Sequence, residues 1–356
     1  MAARDGPYGG AVLALASAAL FGASTPFAKL LLGSGIDPWL LAGILYLGSG
    51  LGLGVVHLGR RGLALPAAEA PLRRADLPWL GLVVLSGGVA GPVLLMLGLA
   101  RTEASTAALL LNIEAVATMV IAWLVFRENV DRRLLLGAAA ILGGAVVLSW
   151  QEGASGLSLG TLAVAGACLA WGIDNNLTRK LSAADPIQIA MIKGLAAGLV
   201  NLGLALGRGA SWPSGGDILA ASVLGFLGYG VSLVLFILAL RHLGTARTGA
   251  YFSTAPFLGA LLAMALFGER ITPQLAVAAS LMGIGLYLHL AERHDHEHAH
   301  DAMEHEHRHV HDAHHRHAHG PDDPPGEPHS HRHRHEPMVH RHPHYPDLHH
   351  RHSHAR

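Results

Sequence analysis

Cysteine and charge are what this sequence has least of. A single cysteine, Cys168, stands in 356 residues, which excludes an internal disulfide and leaves the redox compartment undetermined. Charged residues make up only 14% of the chain, where a soluble protein of this size carries about a quarter. There is no phosphate-cradling glycine loop, no nucleophile triad and no paired-histidine protease motif, so the common enzyme chemistries are excluded and no nucleic-acid partner is expected. What is present is apolar: 51% hydrophobic residues, 44 glycines and a mean hydropathy of +0.38. That composition predicts a polytopic membrane protein in contact with a lipid bilayer.

The apolar residues fall into ten runs, near 10–32, 38–58, 77–99, 104–126, 133–150, 157–178, 187–206, 217–240, 246–267 and 272–291. Each is close to the roughly 20 residues that a membrane helix needs. One such run could be a soluble core helix; ten in series predict an all-α bundle of ten transmembrane helices. The first run is long enough to remain as a span, so no cleaved signal peptide is expected.

Loop charges give an orientation. The N-terminus and alternate loops carry twelve Lys and Arg (Arg4; Arg60, Arg61, Arg73, Arg74; Arg127, Arg132, Arg133; Arg179, Lys180; Arg241, Arg247), against Arg101, Arg208 and Arg270 in the others. The positive-inside rule then predicts cytoplasmic N- and C-termini in the cell's inner membrane.

The chain also repeats itself. Residues 99–131 align without gaps on 240–272, pairing Phe126 with Phe267 and Glu128 with Glu269, while 22–31 (GASTPFAKLL) faces 172–181 (GIDNNLTRKL). Asp37-Pro38 matches Asp185-Pro186. The boundaries are 1–150 and 151–291 for two five-helix units, and 292–356 for a tail. Five spans per unit is an odd number, so the copies insert upside down. Inverted repeats commonly hold a solute near the midplane between the halves.

The doubled motifs, LFGASTPFAK and LAWGIDNNLTRK in the first helix of each half, with FREN and FGER closing the fourth, resemble the EamA-type transporters of the drug/metabolite transporter superfamily. The resemblance covers about residues 10–291. It implies secondary transport of a small solute, usually export, within a range that includes amino acids, nucleosides and other metabolites. It requires no cofactor and leaves room for a homodimer. The chain departs from the family pattern at Leu45, where the matching position of the second half has Lys193, and at Ala115, where the second half has Pro256.

Polar residues inside spans are the candidate site. Glu114 is the costliest, with Asn112 beside it and Thr118 one turn on; its repeat partner is Ala255. Asp174 and Asn175 follow Trp171 in the sixth span, and Lys193 lies in the seventh. Lys29 follows Pro26, which frees a helix carbonyl, and Tyr251 is a further candidate for solute contact. Glu114 would take up and release a proton or hold a cationic part of the solute. The plainer alternative is a static pair in which Glu114 and Lys193 neutralise each other. Glu128 and Glu269 sit at span ends and read as caps or loop anchors. Gly87 and Gly88 read as close helix packing.

The tail holds 23 of the 26 histidines, many at every second position. It has few apolar residues and is expected to be disordered. Neutral imidazole beside carboxylates is a donor set for zinc, nickel, cobalt or copper, and the candidate ligands are His294, His296, His298, His300, His305, His307, His309, His311, His331, His333, His335, His340, His342, His344, His349 and His350. Two alternatives to metabolite export therefore stand: a divalent-metal exporter, and a membrane-anchored metal sensor or buffer that carries nothing across.

Overall fold

A computed structural model describes residues 7–62, 72–126, 130, 132–150, 158–181, 184–290, 295–300, 303–309, 329–335 and 338–343. Helix occupies all ten expected span positions. The order is α1 (Pro7–Gly33), α2 (Pro38–Gly62), α3 (Leu77–Val83), α4 (Gly91–Leu99), α5 (Ala104–Leu110), α6 (Ile113–Phe126), α7 (Arg132–Ser149), α8 (Leu159–Leu181), α9 (Pro186–Gly207), α10 (Gly215–Gly225), α11 (Ser232–Phe252), α12 (Ala255–Phe267) and α13 (Pro273–Leu290). Among the described residues, seven helices are long and apolar enough to cross a membrane. Large apolar side chains such as Val12, Leu51, Val55, Leu85, Leu124, Val146 and Leu261 face outward, as lipid-facing residues do.

Four expected spans come out in pieces. α3 and α4 are joined by a π-helical segment, Val84–Ala90, and α10 and α11 by another, Phe226–Val231. The span over 104–126 breaks at Leu111 and Asn112, where the Asn112 amide donates to the carbonyl of Leu109 (2.9 Å) instead of letting the helix run on. The second half breaks at Ser253 and Thr254, with Pro256 in the first turn of α12. A polar side chain does in one half what proline helps to do in the other. α11 itself must fold back: a straight helix would set Phe236 and Phe252 about 24 Å apart, yet their ring centroids are 4.9 Å apart.

Helix contacts come in matched sets. α1 packs on α11 and α12 as α8 packs on α4 and α6, while α2 packs on α9 and α7 on α13. The crossings need glycine. Pro26 frees the carbonyl of Gly22, and a Cβ on Gly259 of α12 would come within 2.7 Å of that oxygen. This carbonyl therefore meets a neighbouring helix rather than a solute. Gly172, the repeat partner of Gly22, lies likewise against Ala117 and Thr118 of α6.

At one end of the bundle the α4–α5 turn is held from both sides. Lys29 Nζ donates to the carbonyls of Leu99 (2.6 Å) and Thr102 (2.9 Å). The Glu269 carboxylate accepts from the backbone N–H of Ala104 and of Ser105, each at 3.0 Å. A cation on the last carbonyls of one helix and an anion on the first N–H groups of the next suit both helix ends. Glu269 thus ties the second half of the chain to the first.

The described parts of the tail are not without order, contrary to expectation. β1 (Asp295–His300) pairs antiparallel with β4 (Met338–Pro343), and β2 (Met303–His309) with β3 (His329–His335). The register sets Glu297 opposite Arg341, Glu304 opposite Arg334 and Glu306 opposite Arg332. Opposite charges across a ladder favour pairing, and an alternating pattern suits a strand. His294, His311, His344, His349 and His350, like Glu128, lie outside the described residues.

Glu269→Ala removes two charge-assisted hydrogen bonds at a part-buried site, and its expected cost is about 1–3 kcal/mol. A lowered unfolding midpoint of the detergent-solubilised protein is the readout, and an unchanged midpoint would show that the tie carries no weight.

Candidate functional site

A cavity lies between the halves, and its wall draws on α1, α2, α6, α8, α9, α11 and the second π-helical segment. Four of the candidate residues line it: Glu114, Asp174, Asn175 and Lys193. Glu114 lies 60 to 79 positions from the other three and meets them only through the fold.

The charges are sorted by local geometry. Asp174 Oδ2 accepts from Lys193 Nζ at 2.5 Å, with both side chains buried. Lys193 is therefore the partner of Asp174, where the sequence suggested Glu114. Gly87 makes this possible, because a Cβ there would collide with the Asp174 carboxylate. Glu114 sits in the first turn of α6, just past the break, where the positive end of the helix dipole favours a carboxylate. Its Oε1 accepts from the Asn175 amide at 2.8 Å, and that amide also reaches Thr118 Oγ1 at 3.3 Å. Glu114 thus has an amide for a partner while the nearby ammonium is already taken.

The π-helical turns supply backbone to the site. Gly87 O accepts from Tyr46 Oη (2.7 Å) and Trp171 Nε1 (3.0 Å), and Gly88 O accepts from Asn201 Nδ2 (3.0 Å). Widened turns leave carbonyls without their usual helical donor. The two glycines are therefore acceptors as well as packing surfaces. Phe21, Tyr46, Trp171, Tyr229, Phe236 and Phe252 line the cavity. They are six of only 20 aromatic residues in the chain. The Tyr229 hydroxyl is buried without a hydrogen-bond partner.

The other four candidates lie elsewhere. Thr118 supports Asn175 from behind, and its carbonyl accepts from Asn176 Nδ2 at 3.0 Å. Asn112 is buried against Leu109 and Met282 and shapes the helix break. Lys29 belongs to the tie at the bundle end. Tyr251 is not in the wall, although its neighbour Phe252 is. Of the other wall residues, Tyr229 carried a sequence signal as a tyrosine inside a span, and Trp171 through its position one turn before Asp174 and Asn175. Among the described residues no group of three or more His, Cys, Asp or Glu is placed to hold a metal ion.

The sequence profile of the EamA-like transporter family matches residues 8–150 and again 158–291. The chain belongs to that family. This EamA-like chain is a multi-pass membrane transporter and not an enzyme. It is 29% identical over 229 residues to an uncharacterized transporter of Methanothermobacter thermautotrophicus, a match covering 62% of this chain and 66% of that one. It is 39% identical over 81 residues, 23% of this chain and 70% of the other, to a probable 4-amino-4-deoxy-L-arabinose-phosphoundecaprenol flippase subunit, ArnE, of Pseudomonas fluorescens. A crystal structure of a protein with 19% identity superposes with a TM-score of 0.60, over 80% of this chain and 96% of its own, which is a likeness of fold.

Gly87→Ala is expected to displace Asp174 from Lys193 and abolish solute flux in proteoliposomes. Gly143→Ala, where an added Cβ meets nothing within 4 Å, is expected to leave flux unchanged. Equal behaviour of the two would remove Gly87 from the site.

Proposed function

We propose that this chain exports a small organic solute by alternating access of two inverted five-helix units, in exchange for a proton at Glu114. The observation that carries the reading is the distribution of charge in the cavity. Asp174 and Lys193 cancel, and Glu114 is left with an amide. A carboxylate inside a membrane protein is costly unless something neutralises it, and a proton or a solute can each do so. The two then exclude one another, which is the requirement for exchange. The buried Tyr229 hydroxyl offers a donor for a solute oxygen, since a buried polar group without a partner costs about 1–3 kcal/mol. The relative from Pseudomonas fluorescens is named for an organic cargo, which favours an organic solute over a metal ion here. The membrane is the cell's inner membrane, with both termini in the cytoplasm.

Glu114→Gln keeps the hydrogen bond to Asn175 within reach and removes the exchangeable proton. Its expected effect is loss of pH-driven flux, with the rate flat between about pH 6 and 8. A full pH dependence retained by Glu114→Gln would overturn proton exchange at this residue.

The tail carries a second reading, binding of zinc, nickel, cobalt or copper. What supports it is register: His296 stands opposite His342, His298 opposite His340, His305 opposite His333, His307 opposite His331 and His309 opposite His329. Titrating the full chain and a version ending at Ala291 with nickel should give several bound ions for the first and none for the second. Metal tolerance of cells that is lost with the tail would favour a metal role for the protein, and organic flux indifferent to the tail would favour metabolite export.

A further inference from the structure

We infer that the cavity selects an organic cation: a solute with a quaternary or protonated nitrogen on an apolar or aromatic body. This rests on reading the cavity as the solute site and adds the class of solute. Two independent observations lead to it. The first is charge: Glu114 and Asp174 against Lys193 leave the wall with one net negative charge when all three are ionised. A monovalent cation closes that balance, whereas a neutral solute leaves it open and an anion makes it worse.

The second is the aromatic wall. Phe21 is the hub, with ring centroids 5.7 Å from Trp171, 5.9 Å from Tyr229 and 5.3 Å from Phe252. Tyr46 extends the wall at 5.3 Å from Tyr229, and Phe236 at 4.9 Å from Phe252. Leucine would fill such a wall as well if shape and dryness were all the site needed, and leucine is the residue this chain uses most freely elsewhere. Aromatic rings add negative faces that attract a cation already stripped of water. A hard metal ion would instead need several free oxygen donors converging at short range, whereas the Asp174 carboxylate is held by Lys193 and that of Glu114 by Asn175. A cation with its charge spread over carbon and hydrogen fits both features at once.

The test uses the full chain in detergent and three probes of similar shape: benzyltrimethylammonium, its uncharged carbon isostere neopentylbenzene, and benzenesulfonate. Calorimetric titration should show the cation binding at least about 5-fold more tightly than the isostere, with the sulfonate silent. Phe21→Leu and Phe252→Leu keep the site apolar and should each weaken the cation about 3-fold while leaving the isostere unaffected. Glu114→Gln should weaken the cation alone. Equal binding of cation and isostere, or cation affinity untouched in both leucine variants, would overturn the inference. Flux in proteoliposomes separates this from the broader reading. Export of neutral or acidic solutes without cation binding would remove the cation and leave the transporter; cation binding with no flux of any solute under a pH gradient would remove the exchange mechanism and leave the ligand class.

Discussion

The pairing of Asp174 with Lys193 is the constraint around which the interior is arranged. Two buried charges 19 positions apart in sequence, on consecutive helices, need each other because either one alone in a dry bundle would be severely penalised. Their contact requires an empty position on a third helix, and Gly87 provides it. The same stretch of chain is wound as a π-helix, which turns the carbonyls of Gly87 and Gly88 toward Tyr46, Trp171 and Asn201. Closing one charge pair therefore fixes four helices relative to one another. It also decides the chemistry of the cavity by leaving Glu114 as the carboxylate with no cation of its own.

Much of the architecture was legible in the sequence because membrane helices announce themselves by length and apolarity. The breaks were less so. Asn112 was visible as a polar residue in a span, but a side-chain amide that ends a helix looks the same in sequence as one that meets a solute. The half-and-half outcome for the candidate site has the same origin. Glu114, Asp174, Asn175 and Lys193, which line the cavity, stand out in the sequence because charge and amides inside spans are expensive wherever they point. Thr118 and Lys29 carry the same signal and turn out to serve the helix bundle. Most of the aromatic wall was missed because Phe21, Tyr46, Phe236 and Phe252 lie scattered among small and apolar residues. A phenylalanine facing lipid and one facing a cavity have identical sequence surroundings.

The two halves share a frame and differ in their polar content. Both third spans widen into π-helix at matching places, and both fourth spans break at matching places. Yet past the break one half has Glu114 and the other Ala255, which is fully buried against Gly22. Backbone irregularity is common to both copies, while the ionisable group belongs to one. The two-fold frame therefore carries one carboxylate just past its breaks rather than two. The aromatic residues are likewise unevenly drawn, with α11 supplying Phe236 and Phe252 while its counterpart supplies none to the wall.

The tie at the bundle end has an effect on how freely the chain can vary. Lys29 and Glu269 grip the α4–α5 turn by its carbonyls and N–H groups, and every residue offers the same backbone. The side chains of Arg101, Thr102 and Glu103 take no part in those four bonds. Sequence drift in this turn is therefore sheltered by two distant residues that hold its shape regardless of its letters. The turn can take altered charge at Arg101 or Glu103, provided that its length and the two residues gripping it are kept.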